Sequence, residues 1–258
     1  MNATPYPQGL LFDLDGVLYV GKEVVPGAIE TVAKLREQFT CRFITNTSTL
    51  SLTSLQRKIN SLGFDIAPEE IISAPQAALR YLEQQPDPTC RLLLAEDVKQ
   101  DFAALPQSDT EPRLIVVGDI GDAWSYSLLN EVFDNLMNGA KLIAVHKNRF
   151  WQTEHGLQLD IGAFIHGLEY ASGSEAMVIG KPSPAFFQVA LDDMGFSKDD
   201  VLMIGDDIDS DVGGAQEAGL KAVLVRTGKY RQAYADASTI KPDHIIDSIA
   251  DLPALLGV

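Results

Sequence analysis

The chain has 258 residues, 46% of them hydrophobic and 22% charged, and a formal net charge of -16. That is the composition of an ordered globular protein with room for one large domain or two modest ones. The acid excess, with no Lys/Arg-rich block anywhere, excludes nucleic acid and anionic membrane surfaces as partners, because both need clustered basic side chains. No apolar run approaches the roughly 20 residues of a membrane span. The stretch from Met1 to Gly9 has neither the basic region nor the apolar core of a signal peptide. Cys41 and Cys90 each border an apolar run without any motif, the usual setting of buried reduced thiols. A cytoplasmic protein is expected.

Strand-like apolar runs alternate with helix-like segments from end to end, the signature of a parallel sheet with helices on both faces. The spacing predicts a strand over 9–12, a helix over 27–38, a strand over 42–45, a helix over 51–62 that stops at Gly63, and a short strand over 71–74. A middle set follows: helix 75–84, strands 91–94 and 114–117, helix 126–138 and strand 142–145. The rhythm then resumes with strand 177–179, helix 184–194, strand 201–204, helix 209–218 and strand 222–225, with Gly195 and Gly219 as helix stops. The expected fold is α/β, a Rossmann-like doubly wound parallel sheet core formed by 1–74 and 177–258, with a smaller α/β domain, 75–176, inserted between them.

The first predicted strand ends in Asp13-Leu14-Asp15-Gly16-Val17. Alternation puts Asp13 and Asp15 on one side, and Gly16 lets the chain turn sharply behind them. Two carboxylates so close repel each other unless a cation joins them or one holds a proton. Three more strand ends carry polar sets of different chemistry: Thr45-Asn46-Thr47-Ser48, Gly180-Lys181-Pro182, and Gly205-Asp206-Asp207 running on to Asp211. Singly, each has a plain structural reading, with Thr45 and Asn46 as a turn, Lys181 as a solvated lysine and Asp209 as a helix cap. Jointly, at the carboxyl ends of parallel strands, they converge on one crevice. Asp13 and Asp206 offer the hard oxygens that suit magnesium, while Thr45 and Lys181 offer donors and positive charge for a phosphate.

In these four motifs the chain resembles the haloacid dehalogenase-like superfamily of aspartate-nucleophile phosphatases, and the single middle insertion is similar to the large α/β cap of its NagD-like branch. The resemblance covers essentially the whole chain and implies a Mg2+-dependent phosphatase acting on small phosphorylated substrates. It implies that Asp13 is the nucleophile and Asp15 the acid and base. The metal would be held by Asp13, Asp206 and the backbone carbonyl of Asp15, and the phosphate by Thr45, Asn46 and Lys181. Asp207 and Asp211 would support that shell from behind. Caps of this kind pair, so a homodimer through the cap is expected.

Substrate choice is expected in the cap. His146, Lys147 and Arg149, beside Phe150 and Trp151, mix positive charge with aromatics: they either hold a leaving group or a second phosphate, or form a surface loop with the two aromatics packed beneath it. Asp160 either faces the substrate or, the favoured reading, caps the helix that follows. A phosphotransferase or phosphomutase of the same superfamily is the alternative, and a non-catalytic phosphometabolite-binding protein a more distant one. The presence of Asp13, Asp15 and Lys181 together argues for turnover.

Overall fold

The computed structural model describes residues 7–153 and 156–258. Most of the N-terminal stretch expected to lack a leader, residues 1–6, lies outside them. The chain opens with β1 (Gly9–Asp13), a small hairpin of β2 (Tyr19–Val20) and β3 (Glu23–Val24), α1 (Ala28–Arg36), β4 (Thr40–Thr45), α2 (Leu52–Ser61), β5 (Ile71–Ser73) and α3 (Ala74–Glu83). Next come β6 (Cys90–Leu93), α4 (Glu96–Lys99), β7 (Leu114–Val117), α5 (Tyr126–Met137), β8 (Lys141–Ala144), the antiparallel pair β9 (Phe150–Thr153) and β10 (Gly156–Leu159), α6 (Gly162–Ser172) and β11 (Met177–Val178). The last part runs α7 (Pro184–Met194), β12 (Val201–Gly205), α8 (Gly214–Glu217), β13 (Lys221–Val225), α9 (Gln232–Ala237), β14 (His244–Ile246) and α10 (Leu252–Leu256).

These elements form two compact units. The first takes the chain up to Thr45, then Gln56–Ile72 and Lys181–Val258; the second takes Asn46–Leu55 and Ser73–Gly180. In the first unit a six-stranded sheet runs in the order β14-β13-β12-β1-β4-β5, with β1 parallel to both β4 and β12. Leu10, Leu11 and Phe12 are all fully buried, as a strand covered on both faces requires. Phe12 stacks on Phe43 of the neighbouring strand at 5.7 Å. From β1 the chain moves outward to one side through β4 and β5, then returns to the other side through β12 and β13. The strand order therefore reverses at β1, and ligands of open α/β sheets bind at the carboxyl ends of strands around such a point.

α7 shows how the sequence encodes these elements. Pro184 occupies its first turn, Gly195 ends it in the left-handed region at φ 70°, and Phe186, Phe187, Ala190, Leu191 and Met194 form its buried stripe. In the second unit a four-stranded sheet runs β11-β8-β7-β6, all parallel. Ile115, Val117, Leu142 and Ala144 of its strands pack with Val132 of α5 and Ile165 of α6. Ser125 caps α5 by accepting the Leu128 amide at 3.2 Å.

Three local expectations are corrected. The strand expected to reopen the core at 177–179 lies in the second unit, because Met177 and Val178 pair with Ile143 and Ala144 of β8. The predicted helix over 209–218 is a π-helical turn, Ile208–Gly213, followed by the short α8. The Asp207 carbonyl accepts the amides of both Asp211 and Val212 there, which widens the turn. Asp209 is not the cap of this segment. Asp207 fills that role by accepting the Asp209 and Ser210 amides, and Asp209 takes the Tyr234 hydroxyl at 2.5 Å. Among the described residues no helix is long and apolar enough to cross a membrane.

Candidate active site

Asp13 is the last residue of β1 and is buried. β4 is in register with it, Asp13 opposite Ile44, so Thr45 lies one step further along the same edge of the sheet, also buried. Asp206 follows directly on β12, the other neighbour of β1. Lys181 Nζ lies 2.7 Å from Asp13 Oδ1 and 2.6 Å from Asp211 Oδ1, with all three side chains buried. Asp211 Oδ2 accepts the amides of Asp206 and Asp207, each at 3.1 Å. The π-helical turn brings the Asp211 carboxylate back under the strand end. Gly205 makes room for it, since a Cβ there would strike the Asp211 side chain.

Charge is not balanced within this cluster. Asp13, Asp206, Asp207 and Asp211 face Lys181 and Lys229, which leaves two negative charges over. Burial pushes the Asp206 carboxyl well above the usual carboxylate range, and Asp13 and Asp211 push it further, against Lys229. Burial likewise raises Asp211 to about 6, with Lys181 pulling down and Asp13 and Asp207 pushing up. For Lys181, burial disfavours its charge, but Asp13 and Asp211 outweigh it and keep the ammonium protonated. Burial also works against the Asp207 charge, but Lys229 and the amides of Ser210 and Asp209 outweigh it and lower its carboxyl.

A divalent cation fits this arrangement. Asp206 Oδ2 accepts the Lys229 amide at 2.6 Å, whereas Asp206 Oδ1 is buried and has no hydrogen-bond partner. One oxygen from each of Asp13, Asp206 and Asp211 lies within 4.8 Å of the others. An all-oxygen donor set, in a cluster with two surplus negative charges, suits a hard divalent cation. The cradle is built from glycines: a Cβ on Gly16 (φ 99°) or Gly228 (φ 58°) would run into the Asp206 carboxylate. Thr227 donates its hydroxyl to the Gly16 carbonyl and ties the two turns together.

Asp15 stands just past Asp13 and reaches the surface, while Leu14 between them is fully buried. Surrounding protein raises the pKa of the Asp15 carboxyl, and Lys58 and Lys229 oppose the rise. Asn46 is counted with the second unit, where its amide donates to Asn148 Oδ1 at 3.5 Å and its side chain lies against Gly180.

The other candidates all belong to the second unit. His146 is buried, with Nε2 at 3.2 Å from Ser48 Oγ and 3.9 Å from Asp160 Oδ1. Asp160 is not the cap of α6, whose capping position is Ile161. It accepts the Ile161 amide at 2.7 Å and turns toward His146. Lys147 is held by both carboxylate oxygens of Glu169, at 2.8 and 2.7 Å. Arg149 is exposed, and its carbonyl accepts the Asp160 amide at 3.2 Å. Sequence reasoning missed Lys229, Thr227 and Lys58. The first two follow β13, a fifth strand end whose Thr-Gly-Lys turn carried the same kind of signal as the other four.

Known proteins resemble this chain along nearly its whole length. The haloacid dehalogenase-like hydrolase family matches residues 10–105, and a HAD-hydrolase-like family matches residues 178–252. The chain belongs to the haloacid dehalogenase-like hydrolases and is a phosphatase. It is 39% identical to the phospholysine phosphohistidine inorganic pyrophosphate phosphatase of Bos taurus over 256 residues, 96% of this chain and 94% of that one. The p-nitrophenyl phosphatase of Archaeoglobus fulgidus superposes with a TM-score of 0.90 at 28% identity, covering 97% of this chain and 100% of the other. A glycerol phosphate phosphatase of Mycobacterium tuberculosis, solved in complex with magnesium, superposes with a TM-score of 0.84 at 27% identity, over 95% and 77% of the two chains.

Proposed function

We propose that this phosphatase hydrolyses small phosphorylated metabolites with Mg2+ and through an aspartyl-phosphate on Asp13. The observation that carries the reading is the unpaired, buried Asp206 Oδ1 beside an Asp13 carboxylate whose other neighbour is the Lys181 ammonium. Asp13, Asp206 and the Asp15 carbonyl would hold the ion, with Asp211 behind them. When bound, the ion supplies positive charge that offsets the repulsion between nucleophile and phosphate. The magnesium complex of the glycerol phosphate phosphatase supports the choice of metal.

In the first half-reaction an Asp13 oxygen attacks phosphorus in line. The bond to the leaving oxygen breaks with its electron pair, and Asp15 gives that oxygen a proton. Water then attacks the aspartyl-phosphate, Asp15 takes its proton, and the phosphorus–Asp13 bond breaks to release inorganic phosphate. Lys181, Thr45 and Asn46 supply charge and donors for the peripheral phosphate oxygens. The name of the Bos taurus relative is the reason to include phosphorus–nitrogen and phosphoanhydride bonds beside phosphate esters among the substrates to be tried. His146, Lys147, Arg149 and Asp160 are proposed to contribute to substrate choice. The two free, buried cysteines support a cytoplasmic setting, and two chains are proposed to pair through the second unit.

The test is the Asp13→Asn variant on p-nitrophenyl phosphate with Mg2+. A loss on the order of 10³-fold or more in kcat is expected for removal of a covalent nucleophile. Turnover retained within tenfold, or the absence of an acid-stable phosphoprotein at Asp13 on rapid quenching of the wild type, overturns the covalent route.

A further inference from the structure

Lys58, in α2, takes no step in the reaction proposed above. It is half-buried, and its ammonium sits 4.4 Å from the centroid of the Tyr19 ring. Such a placement attracts the cation to the ring face and fixes the long side chain. Tyr19 is in turn built into the turn that carries Asp15. The two residues form a backbone bridge, and the Gly16 amide donates to the Tyr19 carbonyl at 2.7 Å. The Tyr19 side chain is fully buried, and its hydroxyl has no hydrogen-bond partner. The ring therefore acts as a platform, held from below by the core and from one face by Lys58.

The charges point the same way. Burial lowers the basicity of Lys58, and Asp15 is the acid that opposes the effect. A lysine gives up hydration to take this position, and a plain surface role would not require it.

We propose that Lys58, seated on the Tyr19 ring, is a positioning residue that holds the Asp15 carboxyl in place for proton exchange with the leaving group. The inference rests on Asp15 being the acid and base of the reaction. It makes a demand that general structural support would not make. Loss of Lys58 must hurt most where the leaving oxygen needs its proton most. A p-nitrophenolate leaves readily without one, whereas the more basic phenolate does not.

The experiment measures kcat and KM of the holoenzyme with Mg2+ for p-nitrophenyl phosphate and phenyl phosphate, in the wild type and in Lys58→Met, Lys58→Arg, Tyr19→Phe and Asp15→Asn. For Lys58→Met the expected result is a kcat loss roughly tenfold greater on phenyl phosphate than on p-nitrophenyl phosphate, with similar KM values. Arg should restore the ratio, because it keeps the cation over the ring. Tyr19→Phe should leave the ratio unchanged, because it keeps the ring and removes only the hydroxyl. Equal losses on both substrates in Lys58→Met overturn the proposal. If that variant does not fold by thermal melting, Lys58→Gln takes its place, and a Gln ratio equal to that of Arg overturns it too. The Asp15→Asn arm separates the failures: no leaving-group dependence there sinks the role of Asp15, whereas dependence there and none at Lys58 sinks only the positioning.

Discussion

The Lys181 ammonium lies 2.7 Å from Asp13 Oδ1 in a site where both side chains are buried. Lys181 also reaches Asp211 at 2.6 Å, so one cation is shared between Asp13, the proposed nucleophile, and Asp211. Attraction of this kind in a water-poor site offsets the cost of burying three charges only while every member is present.

Lys181→Met should therefore destabilise the fold as well as the chemistry. Breaking a buried ion pair from one side costs about 3–5 kcal/mol. Urea unfolding of the metal-free protein will show it as a lower midpoint at unchanged slope. Adding Asp211→Asn should recover part of the loss, since it removes one of the carboxylates left unpaired.

Stabilisation by Mg2+ should grow as pH rises. In the folded, metal-free protein Asp211 keeps its proton up to about 6, against an ordinary value of 3.8, and Asp206 is raised as well. A raised carboxyl favours the folded state at low pH, and that contribution fades as pH climbs through the window between the two values. Cation binding must displace those protons. The difference between melting temperatures in Mg2+ and in a chelator should thus be small near pH 4 and large above pH 6. A difference that does not vary with pH would refute the ligand role of this cluster.

Gly16→Ala should lose both stability and metal response. At φ 99° an L side chain is strained, and its Cβ would enter the space of the Asp206 carboxylate. The backbone strain alone is worth about 1–2 kcal/mol. Displacement of Asp206 should also weaken the Mg2+-induced rise in melting temperature, which strain elsewhere in the chain would leave intact.

Glu169 gathers Lys147, His166 at 3.1 Å and the Ala176 amide at 2.9 Å. Burial works against its charge, but Lys147, the Ala176 amide and His166 outweigh it and lower its carboxyl. Its contribution to stability is therefore present above its ordinary value of 4.5 and is lost as pH falls through its lower folded value. The stability gap between wild type and Glu169→Gln should close on acidification. If Lys147 also reads substrate, the same variant will change KM across the substrate panel and leave kcat on p-nitrophenyl phosphate nearly unchanged.

Much of the site was legible because its chemistry is written at strand ends. Asp13, Thr45, Lys181 and Asp206 each follow an apolar run, and parallel-sheet topology brings such ends to one edge. Lys181 was legible by type but not by attachment, since the strand before it pairs with β8 rather than with the core sheet. Side-chain pairings were beyond the sequence. Lys147 was a candidate for the substrate, and the fold gives it to Glu169. Asp160 was favoured as a helix cap, and the fold turns it toward His146.

Apolar periodicity and polar strand ends determined by themselves the fold class and the placing of Asp13 and Asp206 at the ends of strands, because these depend on local spacing. Only the tertiary structure decided that Lys229 and Thr227 close the site from β13, that Asp207 caps the π-helical turn, and that Lys58 lies over Tyr19. Those relationships join side chains far apart in the chain, and their energies exist only once burial has removed the water that would otherwise solvate each charge separately.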